Sequence, residues 1–233
     1  MNTNPTSPPR PSPFDFARLV RMNAMVSSAL VLGIFGTFLA FGIGQDPLQF
    51  IHPPATYTEI LLRNPPVLKV AIGLDNAFIL FYSTMFLALS ALLWQERAPR
   101  LLVACSTTLL ALTGLLDLVE NMHFLSMLAT AQQGLVIGIG EIGLQVWESL
   151  VKFHVSYLGL FLLGFALPAA NRKGKLLCFL LRWVQWPVGL LIYLTPAGFA
   201  KPLVLVRFSF FLVSLLLIAA IYRRREGGSG APE

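Results

Sequence analysis

Charge is scarce in this chain. Of 233 residues, 12% are Asp, Glu, Lys or Arg and 56% are hydrophobic, and mean hydropathy is +0.72. A soluble domain carries about twice that share of charge. Too little polar sequence remains to coat a water-soluble bundle, which excludes that class. Cysteine is nearly missing. Cys105 and Cys178 are the only two, so no disulfide framework is available, and both are expected to be free, buried thiols. Histidine is equally sparse: His52, His123 and His154 complete the set. No HxxxH or HxxE pair occurs, and His154 lies about 200° around its helix from Lys152 at 100° per residue. A three-histidine zinc site and bis-histidine haem ligation are both weighed and set aside on this spacing. The expectation is no metal and no cofactor, with His154 packed beside Tyr157. The 17 Lys and Arg residues outnumber 11 acids. They are not interleaved with aromatics, which argues against a nucleic-acid partner.

What the chain has in abundance is long apolar runs. Six stand at roughly 22–43, 67–94, 101–122, 147–168, 176–197 and 203–222. Each is close to the ~20 residues that cross a hydrocarbon core. Lipid offers no partner to a free backbone group, so each should be helical. The sequence therefore predicts an all-α, polytopic transmembrane bundle of six spans over residues 17–225. Tails at 1–16 and 226–233, rich in Pro, Ser, Thr, Asn and Gly, should be disordered. The first run is longer than a signal-peptide core and reads as an uncleaved anchor. Arg10, Arg18 and Arg21 precede span 1. Arg97 and Arg100 lie between spans 2 and 3. Arg172, Lys173 and Lys175 lie between spans 4 and 5, and Arg223, Arg224 and Arg225 follow span 6. These clusters share one side if all six runs cross, which predicts that both termini are cytoplasmic. Anionic headgroups suit the clusters, making membrane lipids the expected partners.

The few charges inside the runs are not scattered. In "LLDLVENMHF", closing the third run, Asp117, Glu120 and Asn121 are i, i+3 and i+4 and share a helix face; Thr113 extends that stripe. Glu148, Lys152 and Ser156 form a second stripe on span 4. Asp75, beside Asn76, and Tyr82 stand two turns apart on span 2, and Arg207 lies near the outer end of span 6. All fall in the extracytoplasmic half, with Lys69 at the rim. Intramembrane ionisable groups usually face the bundle interior or water. The expectation is a charged pocket among spans 2, 3 and 4, with Lys152 paired to an acid on span 2 or 3. The plainer alternative is an ion-paired clasp with Glu120, Asn121 and Glu148 wet at helix ends.

Other segments carry less. "GIGEIG" (Gly138 to Gly143) matches G-x-G-x-x-G but follows no strand and reads as a chance match. Its glycines are expected to form a flexible apolar segment on the membrane surface. With "DPLQFIHPPATYTEILLRNPP" it reads first as an interfacial loop, or as a lid over the pocket. Pro187 should kink span 5, Arg182 should snorkel, and Gly33 and Gly36 should permit close helix contact.

"DNAFILFY", then "DLVEN", then the lone lysine of "SLVKF" resembles a set of small bacterial membrane proteins of unassigned function with D-x-x-F-x-x-x-Y, D-x-x-E-N and a span lysine. It covers residues 67–168, singles out Asp75, Tyr82, Asp117, Glu120, Asn121 and Lys152, and implies a bacterial cytoplasmic membrane but no activity. The expected function is binding or moving a small polar or amphipathic ligand, such as a lipid headgroup. The ligand-contacting set is Asp75, Tyr82, Asp117, Glu120, Asn121, Glu148, Lys152 and Arg207. Two alternatives stay open: an intramembrane enzyme using Asp117 or Glu120 as acid/base on a lipid, and a structural subunit beside other membrane proteins or a second copy of the chain.

Overall fold

A computed structural model describes residues 15–195 and 197–226. The tails expected to be disordered lie outside these residues, apart from Asp15, Phe16 and Glu226. Asp15 caps the first helix by accepting the amide of Arg18 at 3.0 Å. The described chain is helical without a strand: α1 (Phe16–Phe41), α2 (Pro54–Leu62), α3 (Pro65–Gln95), α4 (Arg100–Gln132), α5 (Ile139–Ala166), α6 (Arg172–Trp183), α7 (Gln185–Leu194) and α8 (Ala197–Glu226). A 3-10 turn, Asp46–Gln49, precedes α2. Six segments are long and apolar enough to cross a membrane, with α6 and α7 together forming one of them.

The packing makes a closed ring. α1 meets α3, α3 meets α4, α4 meets α5, α5 meets α6 and α7, these meet α8, and α8 returns to α1. Outward faces stay apolar: Leu80, Leu101, Trp147 and Leu194 are 64%, 75%, 67% and 79% exposed. A surface of that kind suits hydrocarbon and would drive aggregation in water.

Two hydrophobic clusters sit at opposite ends. The larger gathers the start of α1, the end of α3, the starts of α4 and α6, and the ends of α5 and α8, through Val20, Leu93, Val103, Leu177, Leu163 and Tyr222. Consecutive long segments are therefore antiparallel, and both described chain ends lie at this end. The second joins the α1–α3 connection to the end of α4 and the start of α5, through Leu48, Tyr57, Leu68, Phe124, Leu128 and Ile142.

Several boundaries differ from the expectation. α4 runs on to Gln132 because Phe124, Met127, Leu128 and Ala131 repeat at helical spacing and are buried in the second cluster. It stops at Gly134 (φ +80°), where the amides of Gly134 and Leu135 bond back to Ala131 and Thr130 at 3.0 and 3.3 Å. That double closure is a Schellman stop requiring a left-handed residue. α5 starts at Ile139, so Gly140 and Gly143 are helical rather than a flexible surface segment. The span-5 break falls at Val184; Pro187, one turn on, has no N–H for the carbonyl of Trp183. The Arg182 side chain turns toward the C-terminal end of α5. Its Nε and Nη2 donate to the Gly164 carbonyl at 2.8 and 2.5 Å, at the C-terminal end of α5 where carbonyls lack helical partners. Cys178 is buried and free as expected, but Cys105 is exposed, on the outer face of α4. A Cβ added at Gly33 would stand 3.8 Å from Leu74 Cδ1, an ordinary contact, and one added at Gly36 would meet nothing within 4 Å, so neither glycine is needed for close helix contact.

Candidate functional site

Between the two clusters lies a polar layer, built on the middles of α4 and α5. Lys152 is its hub. Its Nζ reaches Asp117 Oδ1 at 2.8 Å and Glu120 Oε2 at 2.5 Å. The ammonium also lies 4.4 Å from the Phe153 ring centre. Glu120 is 0% and Lys152 5% exposed. Such a depth costs several kcal/mol per ion unless each lone pair and proton is satisfied. Here nearly all are. Ser149 Oγ donates to Glu120 Oε1, which Gln49 Nε2 also approaches at 3.5 Å. Tyr82 Oη donates to Asp117 Oδ2.

A second branch starts at Asn121, itself 0% exposed. Its Nδ2 donates to Asp75 Oδ2 at 2.7 Å and Asn76 Oδ1 at 2.9 Å. Its Oδ1 accepts from Gln45 Nε2 at 3.0 Å. Close approach of α3 and α4 makes these bonds possible, and Gly114 permits it: an added Cβ there would stand 2.6 Å from Ser83 Oγ and 3.6 Å from Tyr82 Oη.

The third branch crosses the ring. Arg207 on α8 meets Asp46 Oδ1 at 3.3 Å and lies 4.2 Å from the same Phe153 ring centre. Burial pushes the Asp46 carboxyl above its ordinary range, against the pull of the Arg207 guanidinium. The α1–α3 connection is thus a strap, with Gln45, Asp46 and Gln49 turned down onto α4 and α8. Tyr57 Oη anchors it by donating to the Leu48 carbonyl at 3.0 Å. Burial raises the Tyr57 pKa, so the phenol stays a donor.

Of the residues singled out in the sequence, Asp75, Tyr82, Asp117, Glu120, Asn121 and Lys152 share this layer: Tyr82, Asp117, Glu120 and Lys152 are linked directly, and Asn121 with Asp75 forms a neighbouring group. Arg207 joins through Asp46 and Phe153. Glu148 does not join: its Oε2 meets His123 Nδ1 at 2.8 Å, while Glu141 lies 3.8 Å from the other ring nitrogen. Lys69 is remote, donating to Gln132 Oε1 at 3.4 Å on the exposed surface. Glu120 and Asn121 are fully buried, not wet at a helix end. The other histidines serve locally. His52 Nε2 meets the Pro47 carbonyl at 2.9 Å, and the His154 ring centre lies 6.3 Å from that of Tyr157, the neighbour expected for it. Sequence reasoning missed Gln45, Asp46, Gln49 and Ser149. Ser149 carried a signal, since Gln145, Ser149, Lys152 and Ser156 follow helical spacing as well as the stripe through Glu148 does.

Beside the network is a cavity of about 450 Å³ enclosed by the ring. Asp46, Asp75, Asp117, Lys152 and Arg207 line its charged end. Its walls toward the larger cluster are apolar, with Val31, Phe86, Leu110, Leu160 and Phe211. It therefore involves α1, α7 and α8 as well as the three helices expected. The class these features define is an all-helical protein with six candidate membrane spans around an amphipathic cavity. No family model, curated protein or solved structure matches the chain.

Proposed function

We propose that this is an integral protein of a bacterial cytoplasmic membrane, with both termini in the cytoplasm, that binds or moves a small amphipathic molecule. The observation carrying this reading is the cavity, apolar along its length and charged at one end. Its volume falls within the ~300–1,000 Å³ of typical ligand sites. A purely structural clasp gains little from buried charges, which cost more to desolvate than well-packed apolar side chains. It also gains nothing from a void beside them. The ligand's tail would lie among Leu110, Leu160 and Phe211, and its head at Asp75, Asp117 and Lys152. The strap closes the charged end. Leu205 lines the cavity and is 42% exposed on the outer face of α8, which suits access from the lipid past that helix.

The enzymatic reading keeps one supporting observation: Asp117 faces the cavity and is hydrogen-bonded to Tyr82. Glu120 lies behind Lys152 and is a poor choice of acid/base.

Native mass spectrometry of gently extracted protein tests the binding reading. A molecule of lipid-like mass should copurify with the wild type. It should be lost from Ser156→Trp, which fills the cavity one turn from Lys152. A Ser156→Trp protein that melts normally and keeps an equal amount of the same molecule would refute the cavity as its site.

A further inference from the structure

We propose that the head accepted by this site is a cation: an ammonium group on an amphipathic molecule, held by the Asp75 carboxylate against the rings of Phe78 and Tyr82. The inference rests on the amphipathic cavity proposed above and names the chemistry of its ligand.

The first observation is a mismatch of charge. The polar layer holds the half-buried Asp46, Asp75 and Asp117 and the buried Glu120 against the buried Lys152 and Arg207. Lys152 is taken by Asp117 and Glu120, and Arg207 by Asp46. Asp75 has no ion-pair partner among the described residues. Its one side-chain hydrogen bond there comes from Asn121 at 2.7 Å, and it lines the cavity. A carboxylate facing a low-dielectric space is stabilised by a proton or by a cation that enters it. An anionic head would meet the opposite situation, since Lys152 and Arg207, the cations lining the cavity among the described residues, are already engaged.

The second observation is the wall around Asp75. Phe78 and Tyr82 follow it at i+3 and i+7 on the same face of α3, and all three line the cavity. The Phe78 and Tyr82 ring centres are 4.9 Å apart, and Phe211 of α8 meets Phe78 edge-on at 5.8 Å. Aromatic faces beside a carboxylate are the usual means of holding an ammonium group. The site already does this once, for Phe153 takes both Lys152 and Arg207 within 4.4 Å.

The third observation is independent of the acids. Gln185, on α7 across the ring from α3, is 2% exposed and lines the cavity, and its amide nitrogen has no hydrogen-bond partner. A buried donor without a partner is left with an uncompensated desolvation cost. A ligand carrying an acceptor oxygen, such as an ester or hydroxyl, would remove that cost. The ligand class is therefore an ammonium-bearing amphiphile with an acceptor oxygen, whether a lipid or a free amine.

The test uses the full chain in a neutral maltoside detergent and four probes sharing a decyl tail: a trimethylammonium, a phosphocholine, a phosphate and an uncharged alcohol. Binding is read by thermal shift and isothermal titration. The trimethylammonium probe should bind more tightly than the phosphate. Asp75→Asn should weaken its binding about tenfold or more, as expected for losing a counter-charge within a few ångströms of the quaternary nitrogen, and leave the alcohol unaffected. Phe78→Leu should weaken the ammonium selectively, which keeps the proposal testable if Asp75→Asn folds poorly. Tighter binding of phosphocholine than of trimethylammonium would assign the head to a lipid; the reverse would assign it to a free amine. Preference for phosphate, or ammonium affinity unchanged in both variants, overturns the cation assignment while leaving the amphipathic cavity intact. Failure of all four probes to bind overturns both.

Discussion

Lys152 holds two carboxylates at once, and this sets what its removal should do. Lys152→Met strands Asp117 and Glu120 without a counter-charge, at a cost of roughly 3–5 kcal/mol for a fully buried pair. Its melting temperature in detergent should fall far below that of Lys69→Met, whose ammonium is exposed and meets only Gln132. Adding Asp117→Asn and Glu120→Gln to Lys152→Met should recover most of the loss, because the desolvation costs disappear together. Equal melting of the two single variants would mean Lys152 is solvated. At this scale the sequence was informative where helical spacing alone decides neighbours. Asp117, Glu120 and Asn121 share a face by their spacing, and a buried lysine demands an acid. It failed at Glu148, which flanks Lys152 on the side where His123 waits, while Ser149 flanks the other side and reaches Glu120. Nor could it show Gln45, Asp46 and Gln49, because an irregular connection has no periodicity to reveal which way its side chains turn.

The elements show where close packing is obligatory. Gly189 on α7 has no room for a side chain: an added Cβ would stand 2.0 Å from Tyr157 Cζ. Gly189→Ala must therefore displace Tyr157 or push α7 from α5, at about 1–3 kcal/mol or more for overpacking. Gly143, also helical, has nothing within 4 Å of such a Cβ. Gly143→Ala should be neutral or slightly stabilising, since glycine costs a helix roughly 0.5–1 kcal/mol relative to alanine. Comparing the two in thermal melts checks the α5–α7 seam; an undisturbed Gly189→Ala would mean the seam is loose. Element number and type were legible from run length, since each apolar run must be helical to lie in lipid. Element ends were not. A hydropathy reading stops α4 at the polar "ENMH", whereas the helix continues because Phe124 to Ala131 find a partner in the strap's cluster. That partner lies in a distant part of the chain.

At the scale of the whole molecule, the ring order and the distribution of arginine and lysine make one prediction about orientation. In a chain with both native cysteines replaced by serine, single cysteines at positions 97 and 173 should resist an impermeant thiol reagent in intact cells. Cysteines at 52 and 133 should react. The opposite pattern would invert the bundle and place the strap in the cytoplasm. The pairing of Lys152 with α4 also has a consequence for the order of synthesis. Asp117 and Glu120 leave the ribosome before the lysine that neutralises them. A 33-residue α4 is about 50 Å long at 1.5 Å per residue, well over the ~30 Å hydrocarbon core. It therefore has slack to rest first with its acids at the interface and to slide inward only once α5 delivers the lysine. A nascent chain ending after Gln132 should leave a cysteine at Asn121 open to reagent from outside. One extended through α5 should protect it. Equal protection in both would show that α4 reaches its final depth unaided, and that the pair forms late without steering insertion.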